Sequence, residues 1–221
     1  MNCLVTAGPT YEPLDEVRRL TNFSTGRLGA ALASHLRSRG HNVTLLLGEQ
    51  ATYPGPFGDH PIERFTTTAR LLEQFQQRAR SSVDAIFHAA AVSDFSFGKV
   101  LEQAASGEWM EVRSGKLTTR GGTLRAELVP TPKILPQLRS LYPDALIVGW
   151  KFEVEGGRDQ AIDRALRQIK DSRSNACVVN GAAYGTGFGL LQPGRELRHI
   201  PDAAALCECL AERVSEPPFP S

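Results

Sequence analysis

The chain has almost no net charge: 25 Lys and Arg against 24 Asp and Glu leave +1 over 221 residues. That balance excludes the global basic field that drives nonspecific binding to nucleic acid or an anionic membrane, so an anionic ligand must be met by a local pocket. Cysteine is scarce as well. Cys3, Cys177, Cys207 and Cys209 show no CxxC spacing of a zinc site and are few for a disulfide scaffold, which predicts reduced thiols and a cytoplasmic setting. No stretch approaches the roughly 18 consecutive apolar residues that a bilayer span requires. The opening MNCLVTAG has neither the basic start nor the long apolar core of an export signal. Neither a membrane nor a nucleic acid is therefore expected as a partner. The five histidines (His35, His41, His60, His88, His199) lack HExxH or similar spacing, so no protein-bound metal is predicted. There is no GxSxG to support a serine nucleophile, and Cys177 falls in an apolar run where a buried, inert thiol is the default.

What is present is the composition of an ordinary globule, with 41 % hydrophobic residues, enough to bury a core. Asn2 to Thr6 is a short β-branched run leading into Ala7-Gly8-Pro9-Thr10, as a buried strand leads into a loop. A polar loop follows. Between Gly26 and Arg39, Leu28, Ala31, Leu32 and Leu36 recur at helical spacing, and Gly40 supplies the stop. Val43 to Leu47 then reads as a strand covered on both faces. Alternation continues with a helix over 71–79, strands over 84–90 and 145–150, a helix over 159–171 and a strand over 176–180. Between Phe95 and Val129 the runs become short and glycine-punctuated, with candidate antiparallel strands at 109–113 and 123–129. A hairpin built on Leu190-Leu191 and Leu197 to Ile200 and a helix over 202–214 close the pattern. These elements predict an α/β fold, a doubly wound, mostly parallel Rossmann-like sheet with a small antiparallel flap. One domain over 1–215 is expected, with the flap at about 95–130 and a disordered tail at 216–221.

In such a sheet the ligand lies beyond the carboxyl ends of the strands. The residues at those ends are Gly8, the loop Asn22-Phe23-Ser24-Thr25-Gly26-Arg27-Leu28-Gly29, the turn Ala89 to Asp94, Gly149-Trp150-Lys151, and Asn180. Ser24 to Gly29 puts small residues and hydroxyls at a helix start, where free N–H groups attract an anion. The same residues also suit a plain N-cap with Gly29 making room for the sheet, and spacing alone leaves both readings open. Asp94 suits a ribose hydroxyl, a polar substrate group or a turn cap. Lys116, Lys151, Arg167 and Lys170 are candidate partners for phosphates or a carboxylate, against the alternative of solvated charges.

Taken together and in order, Thr6 to Arg18 (TAGPTYEPLDEVR), Asn22 to Gly29 (NFSTGRLG) and Ala89 to Phe95 (AAAVSDF) resemble the phosphopantothenoylcysteine synthetase family, the synthetase part of the DNA/pantothenate metabolism flavoproteins. Leu124 to Leu135 (LRAELVPTPKIL), Val148 to Glu153 (VGWKFE) and Val178-Val179-Asn180 extend the resemblance over nearly the whole chain. It implies ligation of 4'-phosphopantothenate to L-cysteine through an acyl-nucleotidylate, in coenzyme A biosynthesis, with CTP or ATP as co-substrate, Mg2+ arriving on the triphosphate, and a homodimer. It implies no FMN, because no flavin-dependent decarboxylase domain is recognised here. By the same resemblance Gly8, Ser24, Gly26 and Gly29 would line the triphosphate. Trp150, where the family has Phe, and Asn180 would line the nucleoside, with Lys151 and Lys170 as further nucleotide-side cations. Asn22, Ala90, Ala91 and Asp94 would hold the activated acid, and Arg18 would reach toward a partner's substrate phosphate. Asn22 and Lys116 are the candidates for a direct part in catalysis. One departure stands out: the bacterial Lys-x-Lys-Lys flap motif aligns with Lys116-Leu117-Thr118-Thr119, so one lysine of three survives.

Three alternatives remain open on the residues alone. One is a nucleotide or pantothenate binder that has lost turnover, suggested by Thr118 and Thr119. Another is a ligase for a related acid and amine. The third is an NAD(P)-dependent short-chain reductase, suggested by the βαβ start, although none of Tyr11, Tyr53, Tyr142 and Tyr184 has a lysine four residues later and the TAGPT loop lacks a compact GxxxGxG turn.

Overall fold

The computed structural model describes residues 1–118 and 122–215; the expected tail at 216–221 and Thr119 of the flap motif lie outside the described residues. The chain runs β1 (Asn2–Ala7), a hairpin of β2 (Tyr11–Pro13) and β3 (Arg19–Thr21), α1 (Arg27–Ser38), β4 (Asn42–Gly48), β5 (Ile62–Phe65), α2 (Thr68–Arg78) and β6 (Ala85–His88). It continues with β7 (Phe95–Gln103), β8 (Trp109–Glu111), β9 (Leu124–Pro130), α3 (Leu135–Leu141) and β10 (Leu146–Phe152). Then come α4 (Arg158–Ser172), β11 (Ala176–Asn180), β12 (Phe188–Leu191), β13 (Arg198–Ile200) and α5 (Ala203–Ser215).

Eight strands form the main sheet in the order β13-β12-β11-β10-β6-β1-β4-β5. The six from β11 to β5 are parallel, and β12 and β13 add an antiparallel edge. The doubly wound α/β expectation therefore holds. Strand direction of growth reverses beside β1: the chain first builds outward through β4 and β5, then returns to lay β6 on the other side. That is a topological switch point, and a crevice lies beyond the carboxyl ends of the strands there.

Alternation along the strands decides which helix covers which face. In β1, Cys3, Val5 and Ala7 pack with Leu32, Ala33 and Leu36 of α1 and Leu206, Leu210 and Val214 of α5. Leu4 points the other way, joining Leu71 and Phe75 of α2, Leu138 of α3, and Ile86 and Ile147. Ala161, Ala165 and Ile169 of α4 cover Cys177 and Val179 farther along that second face. The apolar stripe of α4 is buried at Ala161, Ala165 and Ile169, whereas Leu166 is exposed.

The sequence reading differs from the structure at four points. The polar loop after β1 contains the β2–β3 hairpin, whose second strand is wholly exposed and so carries no burial pattern. Strand β5, Ile-Glu-Arg-Phe, sits at the sheet edge and buries only Phe65 fully. Helix α3 is seven residues with one fully buried side chain, too short for a periodic signal. The flap is antiparallel as expected, a separate sheet β8-β7-β9, but its central strand β7 carries no strand signal in the sequence. Its first and last strands leave and rejoin the body beside the crevice, where Thr131 N donates to the Asp94 carbonyl at 3.0 Å.

Arg139 ties α3 to the far side of the body. Its guanidinium donates to the carbonyls of Tyr142, Pro143, Ala145 and Arg173 and to Asn175 Oδ1. Arg173 ends α4 in the left-handed region at φ 52. One planar fork thus satisfies the exposed carbonyls of a helix end and a turn.

Candidate active site

Beyond the carboxyl ends of β1, β6, β10 and β11 lies a cleft of about 1000 Å³. Its size is at the upper end of small-molecule sites and suits two joined ligand moieties rather than one. The first wall is the start of α1. Gly26 is the N-cap residue, at φ 83, and no side chain caps the helix; Thr25 Oγ1 accepts from Arg27 N at 3.3 Å. The expected Ser or Thr cap is therefore absent at this helix. With no acidic residue in the first turn, the N–H groups and positive dipole end there stay available to an anion.

The second wall is the loop after β6. Ala91 N donates to the Gly8 carbonyl at 3.0 Å and Thr10 N to the Ala91 carbonyl at 3.1 Å, pairing this loop with the one after β1. Asn22 Nδ2 donates to the same Ala91 carbonyl at 3.1 Å. Beneath them Thr6 Oγ1 accepts from Ala90 N at 3.1 Å and lies 2.9 Å from His88 Nδ1. His88 is buried, and burial pushes its pKa down to about 4, so the ring is neutral at pH 7. That makes it a packed, hydrogen-bonded ring.

The third wall comes from the segment before α3, from β10 and from α4. Lys133 Nζ pairs with the Asp94 carboxylate. Trp150 faces the cleft half-buried, with its indole N–H buried and unpartnered and its carbonyl accepting from Gln168 Nε2 at 3.2 Å. Lys151 lies 3.2 Å from Glu153, which also pairs with Arg164. Asn180, at the end of β11, accepts at its carbonyl from Glu153 N at 2.9 Å. Burial pushes the Cys177 thiol up to about 12, which agrees with an inert sulfur inside the strand.

Eleven of the residues selected from sequence line this one cleft: Gly8, Asn22, Ser24, Gly26, Gly29, Ala90, Ala91, Asp94, Trp150, Lys151 and Asn180. Three do not. Lys170 is exposed on α4, turned away from the lining. Arg18 is engaged with Asp15 at 2.6 Å and with the Leu117 carbonyl at 2.6 Å, clamping the foot of the flap to the loop after β2. Arg18 and three backbone N–H donors hold the Asp15 carboxyl below the usual carboxylate range. Lys116 stands next to that clamp, exposed, with its N–H and carbonyl both bonded to Ser114 Oγ.

The structure adds residues that sequence reading did not select, including Thr131, Lys133, Arg164, Gln168 and Asp171. For α4 a signal existed: 164, 168 and 171 repeat at helical spacing beside the apolar stripe, which places them on the rim of the buried face. Arg167, considered among the cations, lines the cleft where Lys170 does not. Lys133 falls within the LRAELVPTPKIL run, but nothing in that run marks its side chain as facing the cleft.

Comparison with known proteins agrees with this geometry. The chain is 34% identical over 178 residues to the Coenzyme A biosynthesis bifunctional protein CoaBC of Thermococcus kodakarensis, a match covering 80% of this chain and 40% of that protein. It is 30% identical to the CoaBC protein of Escherichia coli K12 over 77% of this chain and 39% of that protein. The chain thus spans about two fifths of the length of these curated relatives. In fold it is similar to the DNA/pantothenate metabolism flavoprotein of Streptococcus pneumoniae, with a TM-score of 0.83 and 24% identity over 97% of this chain and 98% of that one. The family model for the DNA/pantothenate metabolism flavoprotein C-terminal domain matches residues 1–193, and the chain belongs to that family.

Proposed function

We propose that this chain ligates 4'-phosphopantothenate to L-cysteine in two steps at the cleft. A carboxylate oxygen of the acid attacks the α-phosphorus of a nucleoside triphosphate; a P–O bond forms, the bond to the bridging oxygen breaks, and pyrophosphate leaves with the electron pair. The free amine of cysteine then attacks the acyl carbon. A C–N bond forms, the C–O bond to the nucleotide breaks, the nucleoside monophosphate leaves, and the surplus amine proton passes to solvent.

The observation that carries this reading is one cleft that joins an uncapped helix start to the loop holding Asn22, Ala90, Ala91 and Asp94. On this reading Gly8, Ser24, Gly26 and Gly29 surround the triphosphate, Trp150, Lys151 and Asn180 the nucleoside, and the Asp94 side the acid. Such chemistry needs charge neutralisation and orientation more than a strong base. The neutral His88 and the inert Cys177 are consistent with that demand. Among the described residues no cluster of three His, Cys, Asp or Glu could hold a metal. The acids lining the cleft are Asp94 and Asp171. Magnesium would therefore be held mainly by phosphate oxygens and water, where it supplies charge neutralisation. Membership of the family and relatives named for coenzyme A biosynthesis support this reading.

Incubating the protein with 4'-phosphopantothenate, cysteine and Mg2+ should release pyrophosphate with CTP or with ATP, and the faster of the two identifies the nucleotide. No pyrophosphate with either nucleotide would refute the ligase. We also propose a homodimer. Six of the seven residues of β9 are exposed, among them Leu128 and Val129, and Phe95, Met110, Val17 and Leu20 add exposed apolar area on the flap and hairpin. Clusters of this kind mark association surfaces. Light scattering should return twice the chain mass, and Leu128→Glu with Val129→Lys should return a monomer.

A further inference from the structure

We propose that Lys133 is the cation that meets the reacting carboxylate and then the acyl phosphate, with Asp94 holding its ammonium in place until the acid arrives. The inference rests on the ligase reading above.

Five cationic side chains line the cleft: Arg27, Lys133, Lys151, Arg164 and Arg167. Lys151 and Arg164 are both committed to Glu153, whose side chain is 12% exposed. Arg27 opens α1, on the triphosphate side, and Arg167 sits on α4 next to Gln168, whose amide donates to the Trp150 carbonyl. Lys133 alone pairs with a residue of the loop that carries Ala90 and Ala91. Lys116, the cation suggested by the flap, lies outside the cleft lining.

The backbone that presents Lys133 is fixed before any ligand enters. Thr131 Oγ1 donates to the Ser93 carbonyl at 2.5 Å, and Thr131 N to the Asp94 carbonyl at 3.0 Å. Ser93 N donates to Thr10 Oγ1 at 2.8 Å, linking this segment to the loop after β1. Gln137 Nε2 donates to the Lys133 carbonyl at 2.8 Å, and Pro130 and Pro132 limit the backbone on either side of Thr131. The ammonium, in contrast, is at the end of a flexible stem: side-chain exposures of 64% and 69% make the Lys133–Asp94 pair a wet one. Exposed pairs contribute little to stability. Little is therefore lost when the ammonium turns from Asp94 to a ligand oxygen. A cation delivered to that point opposes the charge that accumulates on the carboxylate and phosphate oxygens in the first step, and on the tetrahedral oxygen in the second.

The test is a pair of variants, Lys133→Ala and Lys133→Arg, measured beside the wild type. Titration calorimetry reads nucleotide affinity without the acid, and a single-turnover pyrophosphate burst without cysteine reads the first step alone. Lys133→Ala should bind nucleotide within threefold of wild type, keep its melting temperature, and lose about 100-fold in burst rate; Lys133→Arg should recover a large part of that loss. A burst within threefold of wild type in Lys133→Ala overturns the assignment. So does an equal loss of nucleotide affinity, which would move Lys133 to the nucleotide side. A wild type that binds nucleotide but gives no burst with CTP or ATP overturns the ligase reading, and this inference with it.

Discussion

Replacing Gly29 by alanine is expected to cost about 3 kcal/mol of stability and to abolish measurable nucleotide binding. Gly29 is the third residue of α1 and faces the end of β1. A Cβ there would lie 2.6 Å from Ala7 Cβ, 2.9 Å from the Thr6 carbonyl oxygen and 3.2 Å from Ala7 Cα. None of these atoms can rotate aside, because each is backbone or the first atom beyond it. Alanine gains about 1 kcal/mol over glycine in helix propensity. Overpacking against backbone reaches or exceeds about 3 kcal/mol, so the clash wins. Relief requires α1 to move outward, and Leu32, Ala33 and Leu36 resist because they are packed against β1, β4 and α5. The first-turn N–H groups would move with it, which is why binding and stability should fall together. Gly157→Ala is the control, since nothing lies within 4 Å of its added carbon and it is remote from the cleft lining. It should cost less than about 1 kcal/mol as an N-cap change. Urea midpoints and calorimetry would check both, and a Gly29→Ala protein with wild-type midpoint and affinity would refute the close-approach argument.

The same position shows how far the sequence was readable. A small residue at Gly29, at a helix start after a buried strand, has two physical uses, anion approach and helix–sheet packing. Spacing could not choose between them, and the contact distances now establish the packing use. Residues at strand ends were legible because a parallel α/β pattern fixes where its ligand lies; Gly8, Ala90, Trp150 and Asn180 reach one cleft for that reason. Residues whose position depends on a connection were not. Lys133 precedes a short helix and arrives beside Asp94 only because Thr131 bonds the return of the flap to the departure of β7. The β2–β3 hairpin shows no burial pattern in the sequence because its pairing buries little, yet it carries Glu12, a buried carboxylate that accepts from Thr68 N at 2.9 Å and anchors the start of α2. Lys170 and Arg167 are three residues apart on one helix, and only the rotation of α4 against β10 and β11 decides which reaches the cleft.

Acidification from pH 6.5 to about 4 is expected to remove roughly 3 kcal/mol of stability through His88 alone. Burial depresses its pKa from 6.5 to about 4 in the folded state. Above pH 6.5 the ring is neutral in both states and contributes no slope. Below it the unfolded chain takes up a proton that the native ring refuses, so stability falls with pH until the native ring also protonates near pH 4. His41 and His60 are shifted down by burial as well and add slope of the same sign in that window. The lowered Asp15, Asp59 and Glu111 carboxyls act farther into acid, below their ordinary values, and so leave the upper part of the window to the histidines. The bonding around His88 couples this loss to the cleft. Thr6 Oγ1 accepts from Ala90 N and lies 2.9 Å from His88 Nδ1, so one hydroxyl serves both the loop and the ring. A protonated ring would carry a hydrogen on Nδ1 and a positive charge, and that hydroxyl would have to accept from the ring as well as from Ala90 N. The loop bearing Ala90 and Ala91 should therefore loosen as His88 titrates. Unfolding free energies from urea titrations should change little through His88 from pH 7.5 to 6.5 and fall by up to about one proton's worth per unit below that, and His88→Gln should remove this part of the slope. An unchanged slope in His88→Gln would show that His88 does not carry the effect.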